Sequence, residues 1–199
     1  MDDLEQDIHV YLLDTNFFRY YSNAASPYQE KAALFWEKIK AEVSDDVALI
    51  GTSEEVVREL EVQFLELETD QVEEIQELLI DTTVFPYKFS IDAEYALQQL
   101  GSYVCKTYKN SLREVGLPID LIGTSDSRII LTALENECLI VTANVKDFLV
   151  YILLSFDPLF SIYDPNGGKI VCIPNDLYNS IQKDANFQTL KLEVLNYIN

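Results

Sequence analysis

Four short apolar runs constrain this chain more than any other feature: HVYLLD (9–14), VALIG (47–51), CLIVT (138–142) and KIVCI (169–173). Each is rich in β-branched and large aliphatic residues and has the length of a buried strand rather than of a core helix. Between them lie stretches whose apolar residues recur at helical spacing. TNFFRYYSN (15–23) reads as a short helix. SPYQEKAALFWEKIKAEV (26–43) offers Ser26 as N-cap and Pro27 at the first helical position. TSEEVVRELEVQFLELE (52–68) carries Thr52 or Ser53 as cap and acids in its first turn. DQVEEIQELLI (70–80), a long segment ending at Gly116, TSDSRIILTALENE (124–137), VKDFLVYILL (145–154) and the residues from Asp176 onward complete the helical set. TTVFPYK (82–88) reads as an edge strand or a turn, because Pro86 limits ladder bonding. DPNGG (164–168) is a turn. Strands alternating with helices imply an α/β fold with a parallel sheet covered on both faces. With 199 residues and no repeat or linker, the expectation is one domain over 1–199, with a core over about 9–155 and a C-terminal strand-and-helix extension over about 156–199.

In a parallel sheet all strands end on one side, and ligands of open α/β sheets bind there. The polar residues at those ends therefore carry the functional reading. Asp14 ends the first strand and is followed by Thr15 and Asn16; Asn144 and Asp147 follow CLIVT. Glu59 lies two turns into the helix after VALIG, and Asp126 in the first turn of the helix that leads into CLIVT. Each has a plainer explanation: Asp14, Asp126, Asn144 and Asp147 suit helix N-caps or first turns, and Glu59 belongs to an acidic helix face with Glu54, Glu55 and Glu61. Asp120 is a further candidate near this edge. Gathered carboxylates repel by about 4 kcal/mol per pair at ~4 Å and an effective dielectric of ~20. A hard divalent cation, Mg²⁺ or Mn²⁺, would relieve that repulsion. A pair of such ions can activate water against a phosphodiester. His9 is the only histidine, so histidine-pair acid–base chemistry within the chain is excluded. Cys105, Cys138 and Cys172 have no CxxC spacing and lie in apolar contexts, so they read as buried free thiols in a reducing compartment.

Four stretches, in order, resemble the PIN-domain ribonucleases, a family that includes the toxin nucleases of bacterial toxin–antitoxin pairs: LLDTNFF with Asp14 and Asn16, GTSEEVVREL with Glu59, DSRIILTALENECLIVT with Asp126 and Thr142, and TANVKDF with Asn144 and Asp147. The resemblance covers roughly residues 9–150. It implies a three-layer α/β/α sandwich with four or five mostly parallel strands, and a Mg²⁺- or Mn²⁺-dependent RNA endonuclease. Asp14, Glu59 and Asp126 would be metal ligands, and the fourth position is shared between Asn144 and Asp147. Asn16 and Thr142 would hold the ligand carboxylates. An RNA substrate, an antitoxin protein and a homodimer are the partners it suggests. The segment between Glu59 and Asp126 is long for the family, and so is the tail.

The net charge of −20 opposes RNA binding. Lys106, Lys109 and Arg113 fall at i, i+3 and i+7 of one helix face with Tyr103 a turn earlier, a candidate phosphate strip with a stacking ring. Arg19, Arg128 and Lys146 lie beside the motif stretches. The alternative that suits the charge better is a catalytically inactive acidic module on the same scaffold, binding protein or mimicking nucleic acid. A haloacid-dehalogenase-like phosphatase fits less well, because the acid it wants two residues after the first Asp is Asn16 here. No apolar run has membrane-span length, and the acidic N-terminus MDDLEQDIHV lacks the basic and apolar regions of a signal peptide; the expectation is a cytoplasmic chain without membrane contact.

Overall fold

A computed structural model describes residues 8–198; most of the acidic N-terminal stretch read above lies outside the described residues. The sheet has six strands in the order β3-β2-β1-β4-β5-β6: β1 (His9–Leu13), β2 (Ala48–Ser53), β3 (Thr83–Phe85), β4 (Leu139–Val141), β5 (Ile162–Asp164) and β6 (Lys169–Ile170). The first five are parallel, and β6 runs antiparallel to β5. The chain starts at the centre, builds outward through β2 and β3, then returns across β1 to β4. This reversal places the topological switch point between β1 and β4, where ligands enter open α/β sheets.

β1 is buried from Tyr11 to Leu13, with Leu12 and Leu13 fully enclosed. α1 (Thr15–Tyr21) follows at once and drives Phe17 and Phe18 into the core. α2 (Gln29–Ser44) returns the chain to β2, burying Ala32, Phe35, Trp36 and Ile39. α2 starts later than its sequence suggests. Ser26 accepts from the backbone N–H of Tyr28 at 3.2 Å, closing a local turn, so the helix begins at Gln29 without a side-chain cap. α3 (Glu54–Gln63) is capped by Ser53, whose hydroxyl accepts from the Val56 N–H at 3.2 Å; Thr52 instead donates to the carbonyl of Leu13 at 2.9 Å, tying β2 to β1. α4 (Thr69–Ile80) leads to β3, which is the edge-strand alternative for TTVFPYK.

α5 (Ile91–Glu114) is the long helix expected to end at Gly116, which takes φ +80°. α6 (Thr124–Glu135) precedes β4. α7 (Val145–Leu154) is buried continuously from Phe148 to Leu154. β5 is an addition to the expected set and pairs with β6 across the DPNGG turn. There the N–H of Asn166 reaches Asp164 Oδ1 at 2.9 Å, and Gly168 takes φ +63°. Of KIVCI only Lys169 and Ile170 are strand. The sheet is therefore α/β and mostly parallel as expected, with six strands where the resemblance implies four or five.

The C-terminal run is two helices, α8 (Asn175–Gln182) and α9 (Ala185–Leu195), broken where Asp184 caps α9. They dock on α5: the hydroxyls of Tyr103 and Tyr108 both donate to Asp184 Oδ2 at 2.6 Å, and Phe187 is fully buried. These two phenol hydrogen bonds hold the Asp184 carboxyl down at about 2. Lys191 and Gln182 donate to the carbonyl of Leu153 at 3.0 and 2.8 Å, closing the carboxyl end of α7. Among the described residues no helix is long and apolar enough to cross a membrane.

Candidate active site

The carboxyl ends of β1 and β4 meet at Asp14 and Thr142. Asp14 is 5% exposed, an unusual position for a carboxylate. It is held at both oxygens. The Thr15 N–H donates to Oδ1 at 2.7 Å, and the Thr142 hydroxyl donates to Oδ2 at 2.7 Å, with Asn16 Nδ2 as a second donor to Oδ2. Asn16 spans the gap between the strands: its Oδ1 accepts from the Ala143 N–H at 2.9 Å, and its Nδ2 also reaches Thr142 Oγ1 at 3.1 Å. Thr142 Oγ1 accepts in addition from the Asn144 N–H at 3.0 Å, so its one donor and two lone pairs are all used. Asn16 and Thr142 thus both hydrogen-bond Asp14 and link the ends of β1 and β4.

Thr15 adds a connection that the sequence does not advertise. Its hydroxyl donates to Glu59 Oε2, drawing α3 toward the start of α1. Glu59 is half-buried, whereas its neighbour Arg58 is exposed. Asp126, in the first turn of α6, accepts from the Gly123 N–H at 3.3 Å. A methyl group at Gly123 would stand 2.9 Å from Asp126 Oδ2, so the glycine gives that carboxylate its room. Asn144 stands at the N-cap position of α7 without a side-chain capping bond, and its Nδ2 donates to Asp147 Oδ2. The Asn144 amide therefore orients the Asp147 carboxylate.

The charges of these acids influence one another pairwise. Burial pushes the Asp14 carboxyl up to about 7, against the Thr142 and Thr15 hydrogen bonds, and the charges of Glu59 and Asp126 push in the same direction as burial. Asp126 is also raised, first by burial and then by Asp147, with Glu59 adding to it. The four acids come from separate elements: Asp14 is coupled to Glu59 and Asp126, and Asp126 in turn to Glu59 and Asp147. They are not a finished cage: among the described residues no three His, Cys, Asp or Glu side chains are drawn together as a preformed metal site. Each acid is instead held by a neutral donor, and the donor set consists of hard oxygens.

Beside the site lies a charged network formed by residues that sequence reasoning passed over or assigned elsewhere. Glu55, 6% exposed, accepts from Ser125 Oγ at 2.7 Å, from Arg58 at 3.0 Å and from Arg128 Nη1 at 3.1 Å. Arg128 Nε donates to Glu94 Oε1 at 2.9 Å, and Tyr87 donates to the same oxygen at 2.9 Å beneath the guanidinium. Burial works against ionising Glu55, but the Ser125 and Arg128 hydrogen bonds hold its carboxyl below the usual range. Arg128 is therefore a structural tie joining α3, α5 and α6. The Glu55–Arg58 spacing of three is visible in the chain; the partners 73 and 34 residues from Arg128 are not.

Of the other basic candidates, Arg19 donates to Gln63 Oε1 at 2.6 Å, fastening α1 to α3. Lys106, Lys109 and Arg113 are all exposed on α5. Lys109 pairs with Asp120 at 3.5 Å, and Lys146 pairs with the same carboxylate at 2.8 Å. The Lys146 hydrogen bond and charge, with those of Lys109, hold Asp120 below the usual carboxylate range. The ring of Tyr103 is half-buried and its hydroxyl donates to Asp184, so it helps to anchor the C-terminal helices.

Two comparisons with known proteins, against family models and against curated sequences, give no match. Among solved structures, similar chains occur in FitAcB from Neisseria gonorrhoeae (16% identity, 78% of this chain and 97% of the other, TM-score 0.48). They occur also in VapBC2 from Rickettsia felis bound to a promoter DNA fragment (17%, 77% and 97%, 0.47). VapBC-1 from nontypeable Haemophilus influenzae is a third (22%, 78% and 98%, 0.45).

Proposed function

We propose that this protein is a Mg²⁺- or Mn²⁺-dependent RNA endonuclease. The observation that carries the reading is the buried Asp14 at the β1/β4 switch point, where the charges of Glu59 and Asp126 act on it and that of Asp147 acts on Asp126. A carboxylate destabilised by burial and by like charges gains most from a cation. The donor chemistry fits a hard divalent ion, which when bound would supply a water-derived nucleophile and neutralise charge on the phosphodiester.

The side chains have separable roles. Asp14, Glu59, Asp126 and Asp147 would hold the ion, and Asn144, which already donates to Asp147, would contribute its amide oxygen or act through a water. Thr15, Asn16 and Thr142 position the carboxylates and lower the cost of keeping them ionised. The resemblance of four ordered stretches to PIN-domain ribonucleases supports the same assignment, and with it an antitoxin protein as partner and a homodimer as assembly.

The test is cleavage of a single-stranded RNA with Mg²⁺, with Mn²⁺ and with chelator. We expect metal-dependent cleavage by the wild type, and a loss of kcat of roughly a hundredfold or more in Glu59→Gln and Asp126→Asn, the size expected when charge stabilisation at the reacting centre is removed. Activity that survives chelator, or that is indifferent to both substitutions, would overturn the assignment. The acidic-module reading draws on the net charge of −20 and on the lack of a preformed three-acid cage among the described residues; it predicts neither cleavage nor metal response.

A further inference from the structure

Asp120 lies in the loop between α5 and α6, and two cations from different helices hold it. Lys146 Nζ donates to Oδ2 at 2.8 Å, and Lys109 Nζ stands 3.5 Å from Oδ1. The Asp120 N–H also donates to the carbonyl of Lys146 at 3.1 Å, fixing the loop against the first turn of α7. One negative group with two oxygens is thus seated between two ammonium groups. A phosphodiester presents the same pattern: one charge spread over two non-bridging oxygens. Lys109, Lys146 and Asp120 are each about half exposed, so an anion from solvent can reach the seat.

The location is as informative as the geometry. Lys146 precedes Asp147 in the chain and feels the charges of both Asp147 and Asp126. Lys109 continues away from the site along α5, with exposed Lys106 and Arg113 on the same face. Among the described residues Lys38, Lys40, Arg58, Lys88 and Arg128 are bound to acids elsewhere in the fold. In a chain so acidic, Lys146 brings cationic charge to Asp126 and Asp147, and Lys109 shares its Asp120 partner.

We propose that Lys109 and Lys146 form a seat for a backbone phosphate of the RNA, beside the bond that is cut, and that Asp120 occupies this seat as an internal phosphate mimic until substrate displaces it. The proposal rests on the nuclease reading and adds a positioning site to it. Exposed ion pairs contribute little to stability, so an incoming phosphate can take Asp120's place. The mimic keeps two ammonium groups together without substrate, and it competes with weakly held nucleic acid.

The experiment measures binding of fluorescein-labelled polyuridylate by anisotropy in Ca²⁺ across a salt series, together with steady-state cleavage in Mn²⁺, for wild type, Lys109→Gln, Lys146→Gln and Asp120→Asn. Each lysine variant should weaken binding roughly tenfold, the equivalent of one charge-assisted hydrogen bond. Each should also flatten the slope of log K against log salt by about 0.7. KM should rise while kcat holds, the pattern of lost uniform binding. Asp120→Asn should do the opposite, tightening binding and lowering KM. A merely structural ion-pair triad predicts that all three variants change in the same direction, and that result would overturn the proposal. So would lysine variants that leave both affinity and salt slope unchanged. Polyglutamate is the control for an acidic protein partner: lysine-dependent capture of polyglutamate without lysine-dependent RNA binding contradicts the phosphate seat. Cleavage that does not depend on the lysines would retain the nuclease reading and discard the seat; lysine-dependent RNA binding without cleavage would do the reverse.

Discussion

Asp14→Asn is expected to raise the stability of the metal-free protein, and to do so only above mid-acidic pH. Asp14 is buried, and its carboxyl is pushed from the ordinary aspartate value up to about 7. An acid with a raised folded-state pKa binds its proton more tightly in the fold than in the unfolded chain. Its favourable contribution is complete below the unfolded value near 3.8 and is lost as pH rises through the folded value near 7. At pH 8 the full penalty is present; three pKa units correspond to about 4 kcal/mol. Asparagine has no such titration. Its amide also meets the Asn16 and Thr142 donors less well than a carboxylate does, a cost independent of pH. The difference between variant and wild type should therefore grow by about 4 kcal/mol from pH 4 to pH 8. That corresponds to roughly 10 °C in Tm for a domain of this size. Thermal unfolding of both proteins in chelator at the two pH values checks this. A constant offset would mean that Asp14 is not held in the destabilised state described here.

The second large effect is expected at Arg128. Its guanidinium is the shared partner of Glu55 and Glu94, both buried, and it also lies over the ring of Tyr87. Arg128→Met keeps much of the packing but leaves two buried carboxylates without their main cation; Arg58 remains for Glu55 only. Removing one partner of a buried ion pair costs about 3–5 kcal/mol. Arg128 is itself a quarter exposed, so water reaches the gap and the lower end, about 3 kcal/mol, applies. Urea unfolding at pH 7 measures it. The triple variant Arg128→Met, Glu55→Gln, Glu94→Gln should recover most of the loss, because the stranded charges are gone. If the single substitution costs less than about 1 kcal/mol, the tie between α3, α5 and α6 does not matter as described.

These cases show what the sequence carried and where it stopped. β1, β2 and β4 were legible because each is a compact apolar run before a helix, and the polar residues after β1 and β4 follow from the same boundaries. Asp14, Asn16 and Thr142 could be placed together because parallel strands share an end. β5 was missed because Ile162–Asp164 is three residues long and has no periodicity to read. The start of α2 was misplaced because Ser26 spends its hydroxyl on a local turn. The Thr15–Glu59 contact, the Arg128 tie and the Lys109–Asp120–Lys146 seat join residues 44, 73 and 26 or fewer positions apart through tertiary packing, and no local pattern announces them. Arg128 and Tyr103 read as exposed in the sequence; in the structure Arg128 is paired with Glu55 and Glu94, and the Tyr103 hydroxyl with Asp184, partners that no local pattern announces.

The most direct test of the central claim is calorimetric titration of Mn²⁺ into wild type and Asp14→Asn at pH 8 and low salt, where Asp14 is ionised. The account predicts binding by the wild type that is lost or strongly weakened in the variant, although the variant is the more stable protein under the same conditions. Equal Mn²⁺ binding by both, or none by the wild type, would contradict a metal site at the β1/β4 switch point and favour the inactive acidic module.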